Sequence, residues 1–194
     1  MGEVIYLCIM NKLSMAELNR KSVDEFRRSE KLPVIVVLEN IRSMHNVGSV
    51  FRSADAFLIE AIYICGYTAR PPRKEIEKTA LGATETVEWK YFSTTMEAIE
   101  NLKQNNYKLF AIEQADKSIP LNRYYEIDAD KVALVFGNEV TGVENEIISL
   151  CDVCIEIPQF GTKHSLNISV AAGIVLWEVV RTMIYNKEKV ECRF

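Results

Sequence analysis

The apolar positions of this chain fall into two alternating patterns. Apolar-rich stretches predict strands at Pro33–Leu38, Ala61–Cys65, Thr86–Tyr91, Tyr107–Glu113, Val132–Phe136 and Val153–Ile157; PVIVVL and VALVF among them are continuous apolar runs, as expected of buried strands in a parallel sheet. Between them, helical spacing predicts helices over Ser14–Lys31, Ser49–Phe57, Thr94–Gln104 and Glu144–Leu150, and a helical piece leads from the Gly66–Lys78 loop through Leu81. Ala115–Asp130 reads as loop. Strands alternating with helices predict an α/β fold with a mostly parallel sheet between helices.

The last helix, opened by Ser165-Leu166-Asn167, departs from this pattern. Ile168, Ala171, Ala172, Val175 and Val179 share one stripe, and Val170, Ile174, Trp177 and Val180 form another. A helix apolar nearly all round must be buried on two sides. One side is the sheet, and a second subunit is the economical cover for the other, which makes a homodimer the expected assembly. Trp89 and Trp177 read as core.

Composition bounds the function only loosely. A chain of 194 residues has room for one full core, and a net charge of −4 neither announces nor excludes a nucleic-acid binder, because binding needs a local basic surface. The five cysteines form no regular framework, which suits a reducing, cytoplasmic setting. Met1–Met10 is apolar but too short to span a bilayer and lacks a basic leader, so neither a signal peptide nor a membrane segment is expected. Cys151-x-x-Cys154 is an isolated pair with only His45 and His164 to complete a metal set, so structural thiols are expected and a metal is not.

Polar and glycine residues concentrate in three loops that leave predicted strands. In Asn40–Arg52, an arginine fork suited to phosphate lies six residues beyond Asn46; a surface arginine and a helix-capping asparagine read equally well. In Phe136–Gly142, glycine at a strand end admits a ligand close to the backbone, and Glu139 is placed to pair with Arg52 or a bound cation; the plain alternative is a tight turn. In Pro158–Asn167, Ser165 and Asn167 open the last helix, as a ligand site or simply as a cap. No G-x-G-x-x-G follows Leu38 and no Walker glycine–lysine pair is present, which argues against the common nucleotide-binding classes.

In this order the loops resemble the SpoU/TrmH branch of the SPOUT RNA methyltransferases. The likeness rests on Asn46, Gly48 and Arg52 in NVGSVFRSADAF, on FGNEVTGV at Phe136–Val143, and on IPQFGTKHSLNISVAAGI at Ile157–Ile174, and it covers residues 33–184. It implies a C-terminal trefoil knot, a homodimer, and S-adenosylmethionine cradled by Gln114, Gly137, Glu139, Ile157, Leu166 and Asn167. It also implies methyl transfer to a ribose 2′-hydroxyl by Arg52, Asn46, Glu139, Ser165 and Asn167. Compact relatives usually act on tRNA and larger ones often on rRNA, so tRNA is the expected substrate over rRNA. Without a basic extension, RNA contacts fall to Arg42, Arg52, Arg70, Arg73 and Lys163. The expected organisation is a helical extension over 1–31, a methyltransferase domain over 32–187 and a tail over 188–194. A non-catalytic RNA-binding dimer is the rival of another class, and it has no need of these polar residues together.

Overall fold

The computed structural model describes residues 11–14, 16–127 and 129–187. The apolar opening Met1–Met10 and the tail 188–194 lie outside the described residues.

Among the described residues, seven parallel strands form one sheet in the order β3-β2-β1-β6-β4-β7-β5. They are β1 (Leu32–Glu39), β2 (Ile59–Cys65), β3 (Glu88–Phe92), β4 (Lys108–Ile112), β5 (Ile119–Pro120), β6 (Val132–Phe136) and β7 (Val153–Glu156). The helices are α1 (Val23–Arg28), α2 (Met44–Ala56), α3 (Lys74–Ala80), α4 (Ala83–Thr86), α5 (Thr95–Gln104), α6 (Asn145–Leu150) and α7 (Ile168–Lys187). The apolar runs do what their pattern requires. Along β1, Val34, Val36 and Leu38 enter a core with α2 and α7, whereas Ile35 and Val37 enter a second core with α5 and α6.

Register sets the site. Leu38 pairs with Phe136, Ala111 with both Val135 and Cys154, and Ile112 with Ile155. The chain therefore leaves β1, β4, β6 and β7 along one carboxyl edge, where open α/β sheets hold ligands.

Several expectations need correction. Helix Ser14–Lys31 shrinks to α1, because Ser22 closes a capping box with Glu25 and Asn19 upstream sits at φ 45°, outside helical space. Phe26 carries α1 into the core. The second helix starts at Met44 and not at Ser49, since the Ser43 hydroxyl accepts the Asn46 N–H at 3.3 Å. Gly48 looks like a loop residue in sequence, yet it lies inside α2 because a Cβ there would stand 2.2 Å from the Ile76 carbonyl of α3. Ala115–Asp130 contains β5 and a 3₁₀ segment, Leu121–Glu126, that buries Tyr124; a two-residue strand is too short to show a period.

On α7, Val180 is buried with Ile168, Ala172, Val175 and Val179, whereas Val170, Ile174, Trp177 and Ile184 form an exposed stripe. Trp89 packs on the core as expected, but Trp177 is 47% exposed. Cys151 and Cys154 are free thiols, and burial pushes Cys151 up to about 12, far from a reactive thiolate. Among the described residues no helix is long and apolar enough to cross a membrane.

Candidate active site

The carboxyl ends of β4, β6 and β7 open into a cleft of about 680 Å³, within the size range of small-molecule sites. Gln114, Gly137, Glu139, Ile157 and Leu166 line it, as does Ser165; Asn167 stands just beyond, at the start of α7. Phe136, Ile155 and Ile168 supply an apolar floor and the loop backbones supply the polar rim.

The 137–142 loop folds back on its own strand. A Cβ at Gly137 would lie 2.1 Å from the Gly142 carbonyl carbon and from the Val143 nitrogen. No rotamer relieves a clash between backbones. Gly137→Ala should therefore lower the unfolding free energy by ~1–3 kcal/mol or more, read by urea denaturation. Gly142, at φ +70°, lets the loop pass the Glu113 carboxylate. That carboxylate accepts the N–H groups of Val143 (3.1 Å) and Gln114 (2.8 Å), and the Gln114 amide donates to the His164 carbonyl at 2.7 Å. One residue pair at the end of β4 thus pins both cleft-lining loops.

The first and second loops are joined by a chain of amides. Glu139 accepts from the backbone N–H groups of Arg42 (2.9 Å) and Ser43 (3.1 Å) and from the Asn46 side-chain amide (3.0 Å). The Asn46 carbonyl oxygen in turn accepts from the Asn167 amide at 3.2 Å. Asn167 caps α7: its side-chain oxygen takes the Ser169 N–H at 2.8 Å and its carbonyl takes the Val170 and Ala171 N–H groups. So Asn46, Glu139 and Asn167, far apart in sequence, form one network. Asn46 is not a helix cap, because Ser43 has that role.

Partial burial pushes the Glu139 carboxyl up, but the hydrogen bonds from Arg42, its own N–H, Asn46 and Ser43 outweigh it and hold the group below its usual value of 4.5. An acid whose folded pKa is depressed stabilises fully above its unfolded pKa and loses that contribution as pH falls through the folded one. Glu139→Gln should flatten the acid limb of the stability curve below about pH 4.3, as thermal melts at stepped pH would show.

Arg52 does not pair with Glu139. The ion pairs among the described residues are Arg123–Glu126 and Arg181–Glu178. Six residues along a helix turn a side chain through roughly 240° and advance it ~9 Å, so Arg52 lies with His45 and Ala56 on the exposed side of α2. Phe57, at the end of α2, brings its ring centroid within 6.2 Å of that of Trp177; at 100° per residue it lies roughly 140° round the helix from Arg52, on the side of Asn46.

The other arginines and Lys163 are exposed. Arg42 and Lys163 sit on the loops flanking the cleft, and Arg70 and Arg73 follow β2 along the same edge. The Arg70 guanidinium stands 4.1 Å from the Tyr91 ring centroid.

Sequence reasoning missed Asn138. It is buried, its side-chain oxygen accepts the Val140 and Thr141 N–H groups, and its amide donates to the Asn40 carbonyl (2.7 Å) and the Tyr67 hydroxyl (2.6 Å). An asparagine following a strand-terminal glycine was the available signal.

A profile of the SpoU rRNA Methylase family matches residues 33–177. The 23S rRNA (guanosine-2′-O-)-methyltransferase RlmB of Neisseria meningitidis is 31% identical over 81% of this chain and 62% of its own length. Its Haemophilus influenzae counterpart of the same name is 31% identical over 93% and 72%. The chain thus spans about two thirds of the length of these curated relatives. The crystal structure of a TrmH/SpoU tRNA modifying enzyme from A. aeolicus superposes with a TM-score of 0.75 at 26% identity, covering 85% of this chain and 82% of that one. An AdoMet-bound rRNA methyltransferase from Sinorhizobium meliloti gives 0.72 at 28%, covering 80% and 59%.

Proposed function

The chain belongs to the SpoU methylase family, and on that premise we propose that it is an S-adenosylmethionine-dependent RNA methyltransferase acting on a ribose 2′-hydroxyl. The observation that carries this reading is the junction of a nucleoside-sized cleft with the Glu139–Asn46–Asn167 network at one sheet edge.

The residues fit the cofactor. Gly137 lets the 137–142 loop fold back along the rim of the cleft, Ile157 and Leu166 offer apolar contacts to a base, and Gln114 keeps backbone donors and acceptors of two loops in place. The S. meliloti relative binds AdoMet in the same fold. When bound, the cofactor supplies a methyl already activated on a sulfonium. The protein then has to hold a hydroxyl in line with it, and orientation alone supplies ~7–11 kcal/mol in favourable cases. Asn46 is suited to this, because both ends of its amide are engaged and its position is fixed. Ser165 lines the cleft at the start of the α7 approach. Arg52 holds the RNA phosphate and the 2′-oxygen and stabilises the charge that develops as the hydroxyl loses its proton to a phosphate oxygen or water. Guanidinium itself stays protonated.

A homodimer belongs to the same reading. It covers the α7 stripe of Val170, Ile174 and Trp177. So does the trefoil knot: β7 inserts between β4 and β5, and the following loop passes the 113–118 segment, fastened by Gln114 and His164. Residues 32–187 make up the catalytic unit, working in the cytoplasm.

The substrate expectation shifts. Both RlmB relatives carry 23S rRNA guanosine in their names, whereas the A. aeolicus structure is of a tRNA modifying enzyme. Ribosomal RNA becomes the first substrate and tRNA the second. Labelled methyl from S-adenosylmethionine should appear as a 2′-O-methyl nucleoside in unmodified rRNA. Label in tRNA alone would reverse that order, and no transfer to either RNA together with no cofactor binding would favour the non-catalytic RNA-binding dimer.

A further inference from the structure

Beside the cleft, the turn after β2 carries a feature that the transfer chemistry does not use. Tyr67 is 64% exposed, yet it is held at both ends. Its N–H donates to the Asn40 side chain at 3.2 Å, and its hydroxyl accepts from the Asn138 amide at 2.6 Å. The next residue, Thr68, is buried: its hydroxyl accepts the Ile41 N–H at 2.8 Å and donates to the Leu38 carbonyl at 3.1 Å. On the other side of Gly66, Tyr91 donates its hydroxyl to the Gly66 carbonyl at 3.1 Å, is 41% exposed, and lies beneath the Arg70 guanidinium. Arg73 follows on the same loop and Lys74 opens α3.

An aromatic ring fixed by hydrogen bonds but left in water forgoes the burial that ordinarily stabilises such a side chain. A flat π-face needs a flat partner. Unpaired bases are stacked on tyrosine rings and arginine planes, with neighbouring cations on the backbone phosphates. Position selects the same partner, because Asn138, which fixes Tyr67, is followed directly by Glu139 of the catalytic network.

We infer that Tyr67, flanked by Tyr91 and Arg70, is a stacking platform for an unpaired base of the RNA that flanks the methylated nucleotide. This rests on the RNA reading of the adjacent site and adds a demand for single-stranded structure beside the target ribose. Arg70 and Arg73 then contact phosphate on the same strand, and Tyr67 supplies contact area that carries no charge.

The test is fluorescence anisotropy with a labelled short single-stranded RNA and a duplex of the same sequence, titrated at several salt concentrations. Tyr67→Ala should weaken single-strand binding about 5- to 150-fold, leave duplex binding unchanged and leave the salt slope unchanged, since stacking releases no counterions. Tyr67→Phe keeps the ring and should bind like the wild type. Arg70→Ala should reduce the salt slope. Single-strand binding by Tyr67→Ala within about twofold of wild type overturns the platform, as does equal loss in Tyr67→Phe or no single-strand binding by the wild type. Thermal protection by S-adenosylmethionine, followed in the same proteins, should be equal in all of them. Its absence from the wild type would sink the transferase reading while the anisotropy still decides the platform.

Discussion

Arg52→Ala should lower methyl transfer ~10²–10³-fold while S-adenosylmethionine still raises the melting temperature as in the wild type. The two readouts separate because Arg52 is not among the residues that line the cleft and is exposed on α2. Its removal leaves the Glu139–Asn46–Asn167 hydrogen bonds untouched. Arg52→Lys should be nearly as inactive. A lysine keeps the charge but presents a single point, whereas holding a phosphate and a 2′-oxygen together requires the planar fork. Near-full activity in the lysine variant would show that only charge is needed there. Loss of cofactor protection in the alanine variant would show that Arg52 supports the cleft.

Why some of this was legible in sequence and some was not follows from range. The buried strands announced themselves because a strand covered on both faces tolerates no polar residue; Val132–Phe136 is read identically in the structure. Gly137 stood out as a strand-ending glycine that would admit a ligand, whereas the space beside it is filled by the backbone of Gly142 and Val143, a contact made only once the loop has folded back. The Glu139–Arg52 pairing failed because Arg52 lies within α2 and faces solvent, while Glu139 is satisfied mainly by the backbone N–H groups of Arg42 and Ser43, which are invisible to residue type. The start of α2 failed for a related reason. Gly48 lowers helix propensity, yet contact with α3 requires it there, and tertiary packing overrides propensity. Glu113 and Asn138 were missed as organisers because their partners are also backbone groups, made available by turns that follow the fold.

Trp177→Asp should convert the protein to a monomer and abolish methyl transfer without loss of helical circular dichroism. Trp177 is half-exposed at the centre of a stripe with Val170 and Ile174, while the opposite side of α7 is packed in the core. A carboxylate there gives up the ring contact with Phe57 but leaves the buried side of α7 packed, and it would be buried unpaired in a dimer interface. Sedimentation velocity reads the assembly, and a Trp177→Asp dimer with wild-type activity would place the interface elsewhere. Loss of activity alone leaves open which protomer supplies Arg52, and geometry suggests how to ask. Arg52 is exposed and lies roughly 120° round α2 from Asn46, which holds Glu139, so it is turned away from its own Glu139. If each site combines Asn46 of one protomer with Arg52 of the other, mixing inactive Arg52→Ala and Asn46→Ala subunits regenerates one intact site in every mixed dimer. Random reassociation should then recover about a quarter of wild-type activity, because about half the dimers are mixed and each has one working site of two. If both residues act within one protomer, every site in the mixture lacks one of them and activity stays at the level of the single variants.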